Sequence, residues 1–544
     1  MFVRLFRISR WLHRNLGLWL CLYLVLEALT GILLNHPQQL EAFSVSAFWL
    51  PPSYRVSNWN RGVLRTVVFS RQTPTLAFLC GTEGVWRTTD GGRSFEEMND
   101  GLPRSREFRR TNHLLLIESA RGSFLFAGTK GGLYVCSPAQ GKWHRLSLGN
   151  AVHSDADASP EKREEVVKLF LVDNELIVVT DSRVFRAVWT GSPADLTFRP
   201  VRLLRSAADL EKTIPAVELL LAMHSGELWR LPGRLLVDFG ALALLFLSLT
   251  GFYIWYVPYR NRRLSQKRLS QEESARSRSG TTAVFRWLYK YHINVGVWVT
   301  VWLLVVAGTA CFLPPSPLVL LAVRTHVPKR WWPGPLPENP WEHKISNAAY
   351  DPAQHELWLA VDGTFWRGKA DFSQPFVKQD LRLPLIGGMG ITVLECLPNG
   401  RLLVGSASGL FESGSEGQPG VDLLNGRRPV SADELRRPTR TNFVAGYFET
   451  PDGQRFVATH ADGLKRLDGQ PRPAGFFSMP RQLALQYRLP LWKVLFEIHN
   501  CRILRDWLGI GSALLPLLGA FGLLLVIVTG FYDWAYQKNL LPRN

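Results

Sequence analysis

The sequence predicts a membrane α-helical bundle of four transmembrane helices, duplicated two plus two, carrying an all-β extracytoplasmic region. Three observations predict it: four long apolar runs, a repeat of span-end residues at a constant offset, and six strand-turn-strand units between the spans. The runs at 16–34, 235–257, 295–312 and 510–534 reach the length a bilayer demands, about 20 apolar residues. They divide the chain into an N-terminal segment with the first span (1–36), a β-domain (37–225), the second span (226–258), a basic loop (259–284), the third span (285–313), a second β-domain (314–498), and the fourth span with its tail (499–544).

Orientation follows from Lys and Arg in short flanking segments. The N-terminus carries Arg4, Arg7, Arg10 and Arg14; the loop between spans two and three carries Arg260, Arg262, Arg263, Lys267, Arg268, Arg276 and Arg278; the tail carries Lys538 and Arg543. Both termini are therefore expected in the cytoplasm and both β-domains outside it. Much of the net charge of +18 is topological, and no helix-turn-helix, zinc-finger or base-stacking pattern accompanies it, so nucleic acid is not a predicted partner. The first span reads as an uncleaved anchor, because its apolar run is long and no small-x-small site precedes Asn35. Trp11, Trp255, Tyr256, Trp287, Trp534 and Tyr536 suit interfacial belts in a lipid bilayer. Six cysteines include no C-x-x-C and no C-x-x-C-H, which argues against covalent haem attachment; a Cys80–Cys136 disulfide is one option.

The duplication is visible residue by residue. His13, Asn15, Gly17 and Trp19 recur as His292, Asn294, Gly296 and Trp298, an offset of 279, and Thr30 recurs as Thr309. Thr250-Gly-Phe-Tyr-Ile-Trp255 recurs as Thr529-Gly-Phe-Tyr-Asp-Trp534 at the same offset, while His224 and His499 are 275 apart. Two helix–ectodomain–helix halves should pack about a pseudo-twofold axis normal to the membrane.

Within the outer segments a finer repeat pairs apolar strands across small-residue turns. It appears at 76–86, 124–134 and 176–185, then at 357–366, 402–411 and 456–464. The spacing suits propeller blades. Three blades cannot close a ring, so one six-bladed β-propeller assembled from both halves is expected, with two separate β-domains as the alternative. Thr88-Thr-Asp90-Gly-Gly92-Arg-Ser-Phe95 resembles an Asp-box, whose aspartate braces a hairpin turn and lends no weight to hydrolase chemistry.

Histidine carries the functional signal, since imidazole is a common metal and haem-iron ligand. His13 and His292 sit at the cytoplasmic ends of spans one and three; His224 and His499 sit just outside spans two and four. His36 closes span one on the outer side, where Pro315 is its counterpart. Across a pseudo-twofold axis each equivalent pair can face one iron, and seventeen residues from His13 to Thr30 cover about 26 Å. Two pairs would then lie near opposite membrane faces. Gly17, Gly296 and Gly31 leave room for a flat macrocycle, although small residues also serve plain helix packing, and interfacial histidines also serve as anchors. Glu27, deep in span one and replaced by Val306 in the other half, lies within about 40° of the His13 face. It reads as a proton relay or haem neighbour, or as a neutral group bonded to the next helix. Asp238 and Asp533, near span ends, read as solvated.

Trp11-Leu-His13, Gly17, Thr30-Gly31-Ile-Leu-Leu-Asn35-His36, Leu221-Ala-Met-His224-Ser-Gly226 and Thr250-Gly251-Phe-Tyr-Ile-Trp255 resemble the PepSY-associated transmembrane family, which includes inner-membrane ferric-siderophore reductases. The resemblance covers the spans and their flanks. It implies the bacterial inner membrane, b-type haem (two groups) on His13, His292, His224, His499 or His36, and electrons passed to a periplasmic ferric chelate. Blade-like repeats stand where that family's usual PepSY domains would be. No motif names the electron donor. A non-enzymatic membrane-anchored propeller that binds a protein partner or ligand is the competing expectation. In the β-domains His144, His153, His343, His355 and His460 lack metal-ligand spacing, and Asp155, Asp157, Glu161, Glu164 and Glu165 form an acidic stretch expected to be a solvated loop.

Overall fold

Runs of Leu, Val and Ala satisfy their backbone within one segment only as helix, the form a bilayer requires. In the computed structural model, which describes residues 2–119, 122–149, 164–206, 213–266, 271–332, 339–383, 390–414, 418, 420–426, 443–538 and 540, four helices are long and apolar enough to cross a membrane. The six helices that build the site are α1 (Phe2–Asn35), α2 (Ala216–Ser225), α3 (Arg230–Gln266), α4 (Gln271–Ala310), α5 (Leu491–His499) and α6 (Leu514–Gln537). The long ones form a closed four-helix ring: α1 touches α3 and α6, and α4 touches the same two. Leu24, Ala243, Val299, Leu303, Ala307, Leu523 and Ile527 fill its core. Trp19 and its repeat partner Trp298 are 86% and 88% exposed, so the duplicated indoles point outward among other apolar side chains, as a lipid-facing surface requires.

The expected basic loop at 259–284 is helical over most of its described length, because α3 runs to Gln266 and α4 starts at Gln271. Hydropathy marks only the apolar part of a helix, whereas Arg, Gln and Glu continue it readily.

Among the described residues six antiparallel sheets make up the β-region, three from each outer segment, with four strands each except the last, which has three. The first strands, Thr66–Phe69, Thr111–Ser119, Val166–Val172, Ile345–Asp351, Ile391–Cys396 and Val444–Glu449, each contact the first strands on either side, and the last contacts the first. Each neighbouring pair of sheets encloses its own buried apolar cluster. Leu114 and Phe78 lie between the first two, Phe126 and Leu169 between the next, and Val179 and Trp366 between the third and fourth. Leu394 and Ala360, then Val393 and Val457, continue the series, and Val67 packs with Phe456 to complete it. The fold is β-propeller-like. The six strand-turn-strand units read from sequence are the second and third strands of the sheets. The innermost strands escaped that reading because Asn112, His113, Lys168, Asn347 and Thr392 break their apolar pattern. Of these, Asn112, Lys168, Asn347 and Thr392 link separate innermost strands, while the Nδ1 of His113 is buried and unbonded. Arg65 donates to Asn112 (2.5 Å), Asn112 to the Val166 carbonyl (3.0 Å), Asn347 to the Ile391 carbonyl (3.4 Å) and Thr392 to the Val444 carbonyl (2.7 Å). Lys168 reaches across to Glu395 (2.6 Å).

Two small crosswise sheets join the β-region to the helices. Ser44–Ser46, just after α1, pairs with Arg488–Pro490, just before α5; His326–Pro328 pairs with Thr213–Pro215 in the equivalent way. Each outer segment thus begins on the end of the other. Cys80 and Cys136 share one buried cluster yet are free thiols, so no disulfide joins them. Asp90 accepts bonds from Thr88, the Arg93 and Ser94 amides and the Ser94 hydroxyl. The Ser94 hydroxyl and amide hold its carboxyl well below the usual range, and the turn is structural. Of the acidic stretch, Asp155, Asp157 and Glu161 lie outside the described residues, as does His153. Glu164 and Glu165 are not solvated: they bond Thr180 and Arg110.

Ring closure leaves no room for a side chain at Gly446, whose added Cβ would lie 2.2 Å from the Arg65 carbonyl oxygen. Gly446→Val should therefore destabilise the β-region by about 1–3 kcal/mol or more, seen as a lower thermal midpoint. Gly308→Ala, where an added Cβ meets nothing within 4 Å, should leave it unchanged.

Candidate functional site

The four duplicated histidines come together in two groups. His13 on α1 and His292 on α4 have ring centroids 6.4 Å apart and planes at 80°. His224 ends α2, which packs on α4, and His499 ends α5, which packs on α1. His499 and His224 lie within electrostatic reach of one another.

Each Nδ1 is held by a neighbouring helix. His499 lies 2.8 Å from Thr30 Oγ1, and His224 lies 3.2 Å from Thr309 Oγ1 and 3.1 Å from the Val306 carbonyl. His292 lies 2.8 Å from Thr250 Oγ1, and His13 lies 2.9 Å from the Val526 carbonyl. A threonine hydroxyl has one proton. Thr30 gives its proton to the Leu26 carbonyl (2.7 Å), Thr250 to Phe246 (2.7 Å) and Thr309 to Val305 (2.9 Å). The three hydroxyls therefore accept from Nδ1–H, and the Val526 carbonyl can only accept. All four imidazoles thus carry the proton on Nδ1, and among the described residues none of their Nε2 atoms has a hydrogen-bond partner. That leaves four Nε2 lone pairs available as ligands, oriented through the other nitrogen in the way metal-bound imidazoles are.

His36 is different. Its Nε2 faces Asp238 Oδ2 at 2.8 Å, while Asn35 donates to Oδ1 at 2.9 Å, so the nitrogen used by the other four is engaged here. Asp238 is buried rather than solvated, because α3 carries it against the end of α1. Asp533 is likewise buried, beside Ser9 and His13. Both corrections have one cause: helix packing hides polar groups that span-edge hydropathy places in water. Glu27 stands 3.0 Å from His499 Nδ1, with its other oxygen buried and unbonded.

The residues fit a flat iron macrocycle. With metal–imidazole bonds of ~2 Å, two rings on opposite sides of one iron have centroids about 6 Å apart, which matches His13 and His292. Glycines stand against three of the imidazoles. An added Cβ on Gly530 would lie 2.7 Å from His13 Cε1, on Gly251 3.4 Å from His292 Cε1, and on Gly31 3.7 Å from His499 Cε1. Gly17 and Gly296 face Val526 and Leu247 at 4.0 and 3.7 Å, ordinary helix packing. Sequence reasoning missed Thr250, Gly251, Gly530 and the two aspartates. The repeated Thr-Gly pair was the signal, but its role needs the opposing helix. Among the described residues no cluster of three or more His, Cys, Asp or Glu could hold a metal ion alone.

A duplicated bundle with paired imidazoles beneath a propeller-like domain defines a membrane protein with a large extramembrane part. The chain belongs to the PepSY-associated TM region family, whose model matches residues 115–536. No curated protein sequence matches it. Among solved structures, the extracellular domain of a protein assigned as a hybrid two-component system of B. thetaiotaomicron is similar at 9% identity, covering 77% of this chain and 40% of that one, TM-score 0.32. YCF48 from Cyanidioschyzon merolae is similar at 12% identity, covering 74% and 95%, TM-score 0.31. Hsv2 from Kluyveromyces lactis is similar at 9%, covering 74% and 91%, TM-score 0.27. The chain spans about two fifths of the first of these.

Asp238→Ala strands the Asn35 amide and His36 together, at a cost of about 1–3 kcal/mol. The thermal midpoint of the detergent-solubilised protein should fall accordingly.

Proposed function

We propose that this chain is a b-type haem protein of the bacterial inner membrane that moves electrons from the cytoplasmic side to a periplasmic acceptor, a ferric chelate in iron uptake. Four helices span the bilayer with both termini in the cytoplasm, and the six sheets form the blades of one periplasmic propeller. The observation that carries the reading is the shared tautomer: four imidazoles, two per membrane face, each with Nδ1–H held and Nε2 free of hydrogen bonds. His13 and His292 would hold one haem, His224 and His499 a second. Haem bound at these positions supplies one-electron chemistry.

The chain's own part is to orient and to tune. Thr30, Thr250, Thr309 and the Val526 carbonyl fix ring rotation and raise imidazole basicity. Gly251, Gly530 and Gly31 keep one side of three rings clear. Glu27, bonded to His499 and absent from the His224 side, makes the outer pair electrically unequal and offers a proton acceptor there. Ser9 and Asp533 do the same beside His13. His36 and Asp238 clamp the outer ends of α1 and α3 and take no part in ligation.

Purified protein should show a reduced-minus-oxidised difference spectrum of b-type haem. His13→Ala or His292→Ala should remove about half of it, as should His224→Ala or His499→Ala, whereas His36→Ala should retain it all. A haem-free preparation from haem-replete cells would sink the reading and leave a membrane-anchored, ligand-binding propeller.

A further inference from the structure

Where the innermost strands begin, the axis of the β-region opens into a cavity of about 190 Å³ closed from below by Tyr487, Leu489, Pro490 and the start of α5. Six basic side chains line it, Arg61, Arg65, Arg106, Arg110, Arg488 and Lys493, against two acids, Glu83 and Glu107. The acids are already committed. Glu83 pairs with Arg106 and Glu107 with Lys130, while Arg110 pairs with Glu165 behind the wall. Burial pushes Glu83 up to about 7 despite Arg106 and Arg109, which weakens its counter-charge further.

Among the described residues four of these cations have no carboxylate within ion-pair distance. Arg61 donates to the Ser53 carbonyl and lies over the Tyr54 ring, Arg65 donates to Asn112, and Arg488 donates to Ser44. Lys493 has neither a hydrogen bond nor an ion pair among the described residues. The Nε atoms of Arg61, Arg65 and Arg110 are buried and unbonded. Burial and then Arg61 hold the Lys493 ammonium down to about 8, with Glu497 and Glu107 acting in the opposite direction. Arg488 is exposed at the rim, whereas Arg61, Arg65 and Lys493 are partly buried; withdrawing such cations from water is costly, and guanidinium forks converging on one cavity match the oxygens of carboxylate and phosphate.

We propose that this cavity binds a small multivalent oxyanion, of the polycarboxylate or phosphate kind, between Arg61, Arg65, Arg488 and Lys493. Its volume equals about six water molecules at 30 Å³ each, room for a citrate-sized ligand and too little for a bulky chelator. Lys493 and His499 lie on one helix, six residues and about 9 Å apart. An anion held here therefore sits directly above the outer histidine pair. Binding stands on the cavity alone; that the anion is the acceptor, free or as its ferric complex, rests on the function proposed above.

The test is calorimetric titration of the detergent-purified full chain, prepared in chloride buffer, with citrate and separately with inorganic phosphate. Citrate should bind one per chain, more tightly than phosphate, and should raise the thermal midpoint. Affinity should fall at least ten-fold in Lys493→Gln and in Arg65→Gln, and weaken with added salt. Lys493→Gln should fold at least as well as the parent in anion-free buffer, because it removes an unpaired cation, yet lose the citrate-induced shift. The His13→Ala/His292→Ala double variant should bind citrate normally, which separates this site from the haem reading. Absence of binding to both anions, or equal binding in the two cavity variants, would overturn the proposal. So would stabilisation that appears only in nanodiscs containing phosphatidylglycerol and not in phosphatidylcholine alone, since a lipid headgroup would then be the ligand.

Discussion

The rest of the molecule depends on the contact between the last sheet and the first. Gly446 lies against the Arg65 carbonyl, and the Tyr447 amide donates to that same oxygen at 3.2 Å. Three sheets leave two open faces, on the first and on the last; the second set of three covers both. Because the first and last sheets belong to different halves, closing the ring forces the halves together. The crosswise pairs of Ser44–Ser46 with Arg488–Pro490, and His326–Pro328 with Thr213–Pro215, then bring the helix ends into register. The histidine pairs fit this arrangement: residues 279 or 275 positions apart become neighbours where the two halves meet, both in the β-region and in the bundle.

Duplication alone would make the two halves of the bundle equal, and they are not. Glu27 and Asp533 both lie in the α1–α6 side, and Val306 and Ile254 replace them on the other. Each histidine pair therefore has one member beside a carboxylate and one beside hydrocarbon or backbone. At His499 the Glu27 carboxyl stands 3.0 Å from Nδ1, whereas at His13 the Nδ1 proton goes to the Val526 carbonyl and Asp533 acts only through space. The asymmetry falls on the α1–α6 side at both histidine groups, so the twofold does not average it.

How far this was legible in the sequence depends on the range of the interaction. Spans, repeats and hairpins are local patterns, and the Thr88–Phe95 turn needs only its own eight residues. The four paired histidines were legible because a duplication copies them at fixed offsets. Asp238 was misread because its environment comes from Asn35 and His36, some two hundred residues away. The innermost strands were missed because a propeller axis is polar, and a strand with Asn, His and Lys at its axial positions has no apolar alternation to detect. The basic cavity was invisible for the same reason: Arg61, Arg65, Arg488 and Lys493 come from opposite ends of the chain. They read separately as ordinary surface charge.

That cavity meets the first turn of α5. Pro490 precedes the helix, and its first turn, with Lys493, closes the axis; its last residue is His499. Nine residues thus run from a positively charged chamber to an imidazole at the edge of the hydrocarbon. Its equivalent α2 ends in His224 in the same way but carries Glu218 in its first turn, where α5 has Lys493: 218 plus the offset of 275 is 493. The duplication has therefore been edited at this charge as well as at Glu27 and Asp533. One helix carries a cation in its first turn and the other an anion, on opposite sides of the twofold. A ring that is nearly symmetric in fold is polarised in charge, and the chamber lies on the α5 side.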